Sequence, residues 1–149
     1  MSKTTELFMG IRSLFRLYDK MLKKVCTEHD LTVIEADVNS FLQNNPSKDT
    51  AADIVELRML SKGAVSKAVE SLIQKSFLER IPDIEDRRKI HLKLKPQAGP
   101  VTESIDRVRE EFLDTILEGF TKDEVELHRQ FFDRLFENTK RAMEGRERS

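Results

Sequence analysis

Residues 60–74 read LSKGAVSKAVESLIQ, and this stretch decides the fold. Ser61 is a residue type that caps helix N-termini, and the apolar residues after it recur at three- and four-residue intervals, as on one face of an amphipathic helix. The opposite face of the predicted helix is polar and cationic. Residues 50–57 predict another short helix just before it, which must stop around residues 58–60. Two short helices joined by a turn of about three residues predict a helix-turn-helix.

After this pair of helices the spacing of the apolar residues changes from near four to two. Residues 77–81 and 89–95 each predict a β-strand, and the second span alternates polar and apolar residues throughout. The segment between them, PDIEDRR at positions 82–88, is a charged turn. The sequence therefore predicts a β-hairpin with a cationic tip, which we call the wing.

The regions around the helix-turn-helix are predicted to be helical. An amphipathic pattern runs from about residue 5 to residue 29, and a long helix is predicted to end near Gly119. Thr32 with Glu35, and Thr121 with Glu124, have the spacing of a capping box, in which two side chains satisfy backbone N–H groups at a helix start. The predicted fold class is mostly α with a small β-hairpin wing.

The charge of the chain is unevenly distributed. The 149 residues carry a formal net charge of −1, but residues 58–95 hold ten Lys and Arg against five Asp and Glu, so this segment is +5 and the rest is −6. A cationic surface on an acidic body indicates that one face meets a polyanion. A patchy solvated surface would have the same charge, so charge alone does not separate the two interpretations.

We expect residues 1–149 to form a single domain, with a winged helix-turn-helix lobe at 30–95 and dimerisation helices at 1–29 and 100–145. Seven of the nine phenylalanines lie in those flanking regions, which is more apolar surface than a monomer with one layer of helices would readily bury. They are Phe8, Phe15, Phe112, Phe120, Phe131, Phe132 and Phe136. A twofold homodimer would place two recognition helices about one DNA turn apart, which predicts an inverted-repeat operator.

Several motifs together resemble the MarR (multiple antibiotic resistance regulator) family of transcriptional regulators. The most specific are Leu60-Ser61-Lys62-Gly63-Ala64-Val65-Ser66-Lys67 at the helix start and Asp83 followed by Asp86-Arg87-Arg88 in the wing. The resemblance covers essentially the whole chain. It implies a homodimeric, sequence-specific DNA-binding regulator, here expected to be a repressor, that a small-molecule effector can release from DNA. Family members commonly have Lys-Gly where this chain has Lys75-Ser76, so a serine is expected at a turn position that favours glycine.

Binding to double-stranded DNA requires short polar and cationic side chains at the N-terminal half of the recognition helix, because that half enters the major groove. One of Arg87 and Arg88 is expected in or near the minor groove, and Asp83 or Asp86 is expected to brace the wing by pairing with the other arginine. The alternative for the wing is a purely structural cluster of ion pairs. The predicted DNA-binding residues are Ser61, Lys62, Ala64, Ser66, Lys67, Arg87, Arg88 and Lys89.

Parts of the sequence are also compatible with functions other than DNA binding. Cys26 suggests a redox-responsive regulator, although a lone cysteine is more often a small buried hydrophobe. A dimeric interaction module that has lost DNA binding would keep the same fold. The sequence has no phosphate-binding loop, nucleophile elbow or zinc-protease pattern, and its three histidines are scattered, so we expect no enzymatic activity, cofactor or metal. Because no signal peptide or membrane span is apparent, we expect a cytoplasmic protein.

Overall fold

The computed structural model describes residues 1–148, with side chains described as far as residue 145. The elements in chain order are α1 (Lys3–His29), α2 (Val33–Asn44), α3 (Ala51–Arg58), α4 (Lys62–Gln74), β1 (Leu78–Pro82), β2 (Ile90–Leu94), α5 (Gly99–Ile116) and α6 (Lys122–Arg148), with a 3-10 turn at Pro96–Ala98. This architecture confirms the predicted fold class. Within the described residues, no helix has the length and apolar character needed to cross a membrane.

The chain divides into two compact units. The first, Met1–Phe112, contains α1 to α4, the hairpin and most of α5. The second begins at Leu113 and contains the end of α5 and the whole of α6. The predicted winged helix-turn-helix lobe, residues 30–95, therefore lies entirely within the first unit.

One hydrophobic core runs through the first unit. Leu22 of α1, Val38 of α2 and Ile54 of α3 are completely shielded from solvent. The predicted apolar face of α4 joins them through Val65, Ala68, Val69 and Leu72. Burying each large aliphatic side chain contributes about 1.5–3 kcal/mol relative to leaving it exposed. The core thus fixes which face of α4 points inward and leaves its polar face to solvent.

Three helices begin with the caps that the sequence predicts. Thr50, Ser61 and Thr121 each accept a hydrogen bond from the backbone N–H three residues on, at 3.1 Å. Asp53 and Glu124 complete capping boxes by accepting from the backbone N–H of Thr50 and Thr121. These local motifs set the starts of α3, α4 and α6.

The predicted capping box at the start of α2 is half wrong. Thr32 accepts from the backbone N–H of Glu35 at 3.1 Å, as expected. The Glu35 carboxylate does not return to the backbone of Thr32, because it is buried and accepts from Ser71 and Lys75 instead. A long-range interaction has replaced the local one.

The two strands form an antiparallel hairpin in which Leu78 lies opposite Leu94 and Pro82 lies opposite Ile90. Both strands fall within one residue of the predicted spans. Ser76, just before β1, has a φ of 65°, in the left-handed region where a residue with a Cβ is strained and glycine is not. The expected serine in a glycine-type turn position is therefore confirmed.

Each unit leaves large apolar side chains exposed on a long helix. On α1 these are Leu7, Phe8, Met9, Ile11, Leu14 and Phe15, and on α6 they are Leu127, Phe131, Leu135, Phe136 and Met143. Phe8, Phe15 and Phe136 each expose more than 60% of their surface. Exposed apolar patches of this kind mark interaction surfaces. They lie in the regions predicted to dimerise, and the dimer itself stays a prediction.

Candidate nucleic-acid interface

The polar face of α4 carries the side chains predicted to contact DNA. Of that set, Ser61, Lys62, Ser66 and Lys67 are exposed and Ala64 is half-buried. The Ser61 hydroxyl accepts from the backbone N–H of Ala64, which leaves its own proton available to an outside acceptor. The positive end of the helix dipole lies at the same place. The N-terminal half of α4 thus combines cations, hydroxyls and a helix N-terminus on one exposed face.

The turn between α3 and α4 has the three-residue length that the sequence predicts. Met59 adopts a left-handed φ of 54° at the end of α3, and Ser61 then starts α4. Arg58, in the last turn of α3, pairs with Asp37 of α2 at 3.1 Å. The helix-turn-helix is therefore present and is fastened to α2 by an ion pair.

The C-terminal end of α4 is fastened by a second group of polar residues. The Lys75 ammonium donates to the Glu35 carboxylate at 3.0 Å and to the backbone carbonyl of Asp30. The Ser71 hydroxyl donates to the other Glu35 oxygen at 3.1 Å. Glu35 is only 5% exposed, so these donors satisfy a carboxylate inside the protein. The sequence analysis missed this group, since its partners lie 36 and 40 residues apart.

The wing tip is shaped by backbone hydrogen bonds to two aspartates. Asp83 accepts from the backbone N–H groups of Glu85 and Asp86 at 3.0 and 2.9 Å, and Asp86 accepts from the backbone N–H of Arg88 at 3.0 Å. The backbone N–H of Asp83 donates to the carbonyl of Lys89 at 2.9 Å. These bonds fold the tip back on itself, so both predicted bracing residues do organise the turn.

The bracing aspartates have two different partners. Asp86 lies beside Arg88, which is one of the predicted pairings, whereas Asp83 pairs with His91 at 2.7 Å. Asp86 lies 3.6 Å from the guanidinium of Arg88, whose side chain is 96% exposed, so that contact is weak. The antiparallel register places His91 opposite Ile81, next to the wing tip. Its ring is therefore within hydrogen-bond distance of Asp83.

His91 joins the wing to the segment that precedes α3. Its Nδ1 lies 2.7 Å from the Asp49 carboxylate and its Nε2 lies 2.7 Å from the Asp83 carboxylate. The hydrogen bonds that the ring donates to the Asp49 and Asp83 carboxylates raise the pKa of His91 above its ordinary value. The bond from His91, together with the two backbone N–H groups of the tip, lowers the pKa of Asp83 to about 2. This cluster cannot be predicted from the sequence, because a lone histidine in a strand has no recognisable motif.

Several of the predicted DNA-binding cations are unpaired in the part of the chain that the structure describes. Lys62, Lys67 and Arg87 are exposed and form no ion pair or hydrogen bond through their side chains within the described residues. Other cations of the lobe are engaged, such as Arg80 of β1, which pairs with Glu70 of α4. The unpaired cations are available to an external anion without first breaking an internal contact.

A second polar cluster lies among the helices of the first unit. The ring of Tyr18 in α1 packs edge-on against Phe112, with centroids 5.2 Å apart. Burial and then the charge of Asp37 raise the pKa of Tyr18, while the guanidinium groups of Arg109 and Arg58 act against that rise. The charges of Arg58 and Arg109 therefore act on the phenol of Tyr18.

Cys26 is buried on α1, with 6% of its surface exposed. Burial raises the pKa of its thiol, and the nearby carboxylates of Asp37 and Glu35 raise it further. Since the thiolate is the form that reacts with oxidants, this environment disfavours oxidation. Within the part of the chain that the structure describes, no cluster of three or more His, Cys, Asp or Glu side chains could hold a metal ion.

Comparison with known proteins finds one family match over part of the chain and a shared fold over most of it. Residues 29–89, from the end of α1 to the wing, match the sequence model of the MarR family. A sequence search among curated proteins finds no match.

Solved structures share the fold over most of the chain. A MarR transcriptional regulator from Methanosarcina mazei Go1 is 16% identical, with a TM-score of 0.75 over 93% of this chain and 99% of that one. BpsR from Bordetella bronchiseptica, whose DNA binding is regulated by 6-hydroxynicotinic acid, is 17% identical, with a TM-score of 0.68 and coverages of 87% and 98%. A MarR variant from E. coli complexed with operator DNA is 18% identical, with a TM-score of 0.68 and coverages of 87% and 93%.

Proposed function

We propose that this chain, a MarR-family winged-helix protein, is a transcriptional regulator that binds duplex DNA through α4 and the wing. The observation that carries the proposal is the set of exposed, unpaired cations at the start of α4 and at the wing tip, in a chain whose net charge is −1. Because the rest of the chain is acidic, this local surface is where a polyanion can bind. We propose that the protein acts as a regulator and not as an enzyme.

In the proposed complex the N-terminal half of α4 lies in the major groove. Lys62 and Lys67 are suited to phosphates or guanine edges, and Ser66 to a base edge or a phosphate. Gly63 adds no side chain, and open space surrounds the position where a Cβ would lie. The backbone of α4 can therefore approach DNA closely at this point.

The wing is proposed to contact DNA beside the major-groove site. Arg87 is exposed without a partner and Arg88 is held only weakly, so either guanidinium can reach a narrow A·T-rich minor groove. Lys89 is exposed just after them and can reach a phosphate. The backbone bonds at Asp83 and Asp86 would present these cations in a defined turn.

The regulator is proposed to act as a homodimer in the cytoplasm. Phe8 and Phe15 on α1, and Phe131 and Phe136 on α6, supply apolar surface that a second copy of the chain could cover. Two copies related by a twofold axis would bind an inverted repeat with half-sites about one DNA turn apart. Sedimentation as a monomer at micromolar concentration would contradict this part of the proposal.

We further propose that the regulator represses transcription and that a small molecule releases it from DNA. The charges of Arg58 and Arg109 act on the phenol of Tyr18. An anionic ligand would have to draw these two cations from their pairs with Asp37 and Asp106. Arg58 ends α3, so a ligand that drew it away from Asp37 would disturb the helix-turn-helix. BpsR provides a precedent for small-molecule control in the same fold. A redox mechanism through Cys26 is less favoured because the thiol is buried and its pKa is raised.

The proposal can be tested by selecting DNA from a random duplex pool. The wild-type chain is expected to enrich an A·T-rich inverted repeat. The double variant Lys67→Ala with Arg87→Ala is expected to lose that enrichment. The control, Lys122→Ala with Lys140→Ala, removes the same charge from exposed positions of α6 and should enrich the same sequence. Equal enrichment by both double variants, or none by the folded wild-type chain, would rule out the proposed interface.

A further inference from the structure

The geometry around His91 is unusual because both ring nitrogens face a carboxylate. Nδ1 lies 2.7 Å from an oxygen of Asp49 and Nε2 lies 2.7 Å from an oxygen of Asp83. A neutral imidazole has one N–H group, so it can donate to only one of them, and its other nitrogen would point a lone pair at a carboxylate. Only the imidazolium form donates to both. The distances are typical of charge-assisted hydrogen bonds.

The two carboxylates belong to different parts of the lobe. Asp49 precedes α3, and its backbone carbonyl accepts from the N–H of Leu92 on β2 at 2.7 Å. Asp83 lies at the wing tip and accepts from the backbone N–H groups of Glu85 and Asp86. The chain separates Asp49 from His91 by 42 residues and Asp83 from His91 by 8. His91 therefore ties the tip of the wing to the segment that precedes α3.

The other charged groups near His91 do not compete for it. In the hairpin register Lys93 lies opposite Glu79, on the strand face that carries His91, and Ile81 lies directly opposite the histidine. From α2 the uncharged Gln43 lines the same surface cavity as His91. In α3, Asp53 is bonded to Thr50. Asp49 and Asp83 are the charges that act on the ring.

We propose that His91 is a positioning residue that holds the wing in its DNA-binding shape while both of its ring nitrogens carry a proton. This inference rests on the proposed function, since the shape matters for the presentation of Arg87 and Arg88 to DNA. When the His91 ring loses one proton, the lone pair of that nitrogen faces a carboxylate. The ring then no longer joins the wing tip to the segment that precedes α3. DNA affinity then falls with rising pH, although the arginines keep their charge.

The direction of the pH effect follows from the raised pKa of His91. The imidazolium contacts are complete below the ordinary histidine value, about 6.5, and they are lost as the pH rises through the higher value of the folded protein. Wing order should therefore be greatest in mildly acidic solution and should decline as the pH rises through the raised pKa of His91.

The first experiment needs no DNA. Ring nitrogen shifts of His91 in the free wild-type protein are measured by NMR in a titration that runs from below the ordinary histidine value, about 6.5, into alkaline solution. Amide exchange at Glu85 and Asp86 is followed over the same range. Both ring nitrogens should stay protonated to a higher pH than in a free histidine, and protection of the two amides should fall together with that protonation. A ring that loses its proton at or below the ordinary value, or amide protection that does not follow the titration, would overturn the proposal.

The second experiment measures affinity for the inverted-repeat duplex selected by the wild-type chain. His91→Gln should bind about tenfold more weakly than wild type at the acidic end and should show no pH dependence, because glutamine does not titrate. His29→Gln is the matched control. His29 is half-buried and bonds Ser104, far from the wing in sequence, so the variant should keep the wild-type pH profile.

The outcomes separate the inference from the function on which it rests. An unchanged affinity and pH profile in His91→Gln would overturn the positioning role while leaving the regulator intact. A wild-type chain that binds no duplex at any pH would contradict the proposed function. In that case the NMR titration and amide exchange still decide whether His91 holds the wing.

Discussion

Lys75→Met should destabilise the protein more than any exposed lysine substitution, because it removes the cation from a buried carboxylate. The Lys75 ammonium lies 3.0 Å from Glu35, whose side chain is 6% exposed against 28% for the lysine. Methionine keeps most of the volume of the aliphatic stem. After the substitution Glu35 retains the Ser71 hydroxyl as a donor but loses its compensating charge.

The loss of stability in Lys75→Met can be estimated from the loss of this one ionic partner of Glu35. Removing one partner of a buried ion pair costs roughly 3–5 kcal/mol. Since water already reaches Lys75 and Ser71 still donates, we expect about 2–3 kcal/mol. For a chain of this length that lowers Tm by roughly 5–10 °C.

A double-mutant cycle measured by thermal and urea unfolding tests the assignment. Glu35→Gln keeps the shape of the site and an acceptor for Ser71, so Lys75→Met should cost about 1–2 kcal/mol less in that background than in wild type. Arg129→Met is the control, since its pair with Glu126 is exposed on both sides, and it should leave Tm within experimental error. Additivity of the two substitutions within about 0.5 kcal/mol would refute the buried pair.

Three further predictions address the turn, the wing and the cysteine. Ser76→Gly should raise the free energy of unfolding by about 1 kcal/mol, because glycine relieves the left-handed strain at a φ of 65°; a loss of stability in urea titration would contradict this. Arg88→Ala should weaken binding to the selected duplex at an unchanged circular dichroism spectrum, and an unchanged affinity across a salt titration would count against the wing contact. Cys26→Ala should leave the response of DNA binding to peroxide unchanged, since the buried thiol is not the reactive group. Peroxide release that the substitution abolishes would restore the redox alternative.

Features with local causes were predictable from sequence. The caps at Thr50, Ser61 and Thr121 depend on residues three apart, and the hairpin depends on a period of two in adjacent segments. Neighbours along the chain determine such features whatever the rest of the fold does. The strained turn at Ser76 was expected for another reason, the glycine that members of the resembled family commonly have at this position.

Features with distant causes were not predictable. Glu35 has the spacing of a capping residue, but the fold brings Lys75 to it from 40 residues away and buries the pair. His91 likewise looks like an ordinary polar residue of an alternating strand until the fold delivers Asp49 to its other side. Because the ionic partner comes from a distant part of the chain, no local periodicity or motif marks either residue of the pair. The role of the histidine beside the wing tip is apparent only from the three-dimensional structure.

The most direct test of the proposed DNA interface is the salt dependence of affinity for the selected duplex. Each cation that contacts a phosphate contributes about 0.9 to the slope of log affinity against log salt. Lys67→Gln with Arg87→Gln should therefore reduce that slope by about 2 for each subunit. Lys122→Gln with Lys140→Gln, which changes the net charge equally, should leave the slope as in wild type. Equal slopes for wild type and both double variants would contradict the central claim that the start of α4 and the wing are the surface that binds DNA.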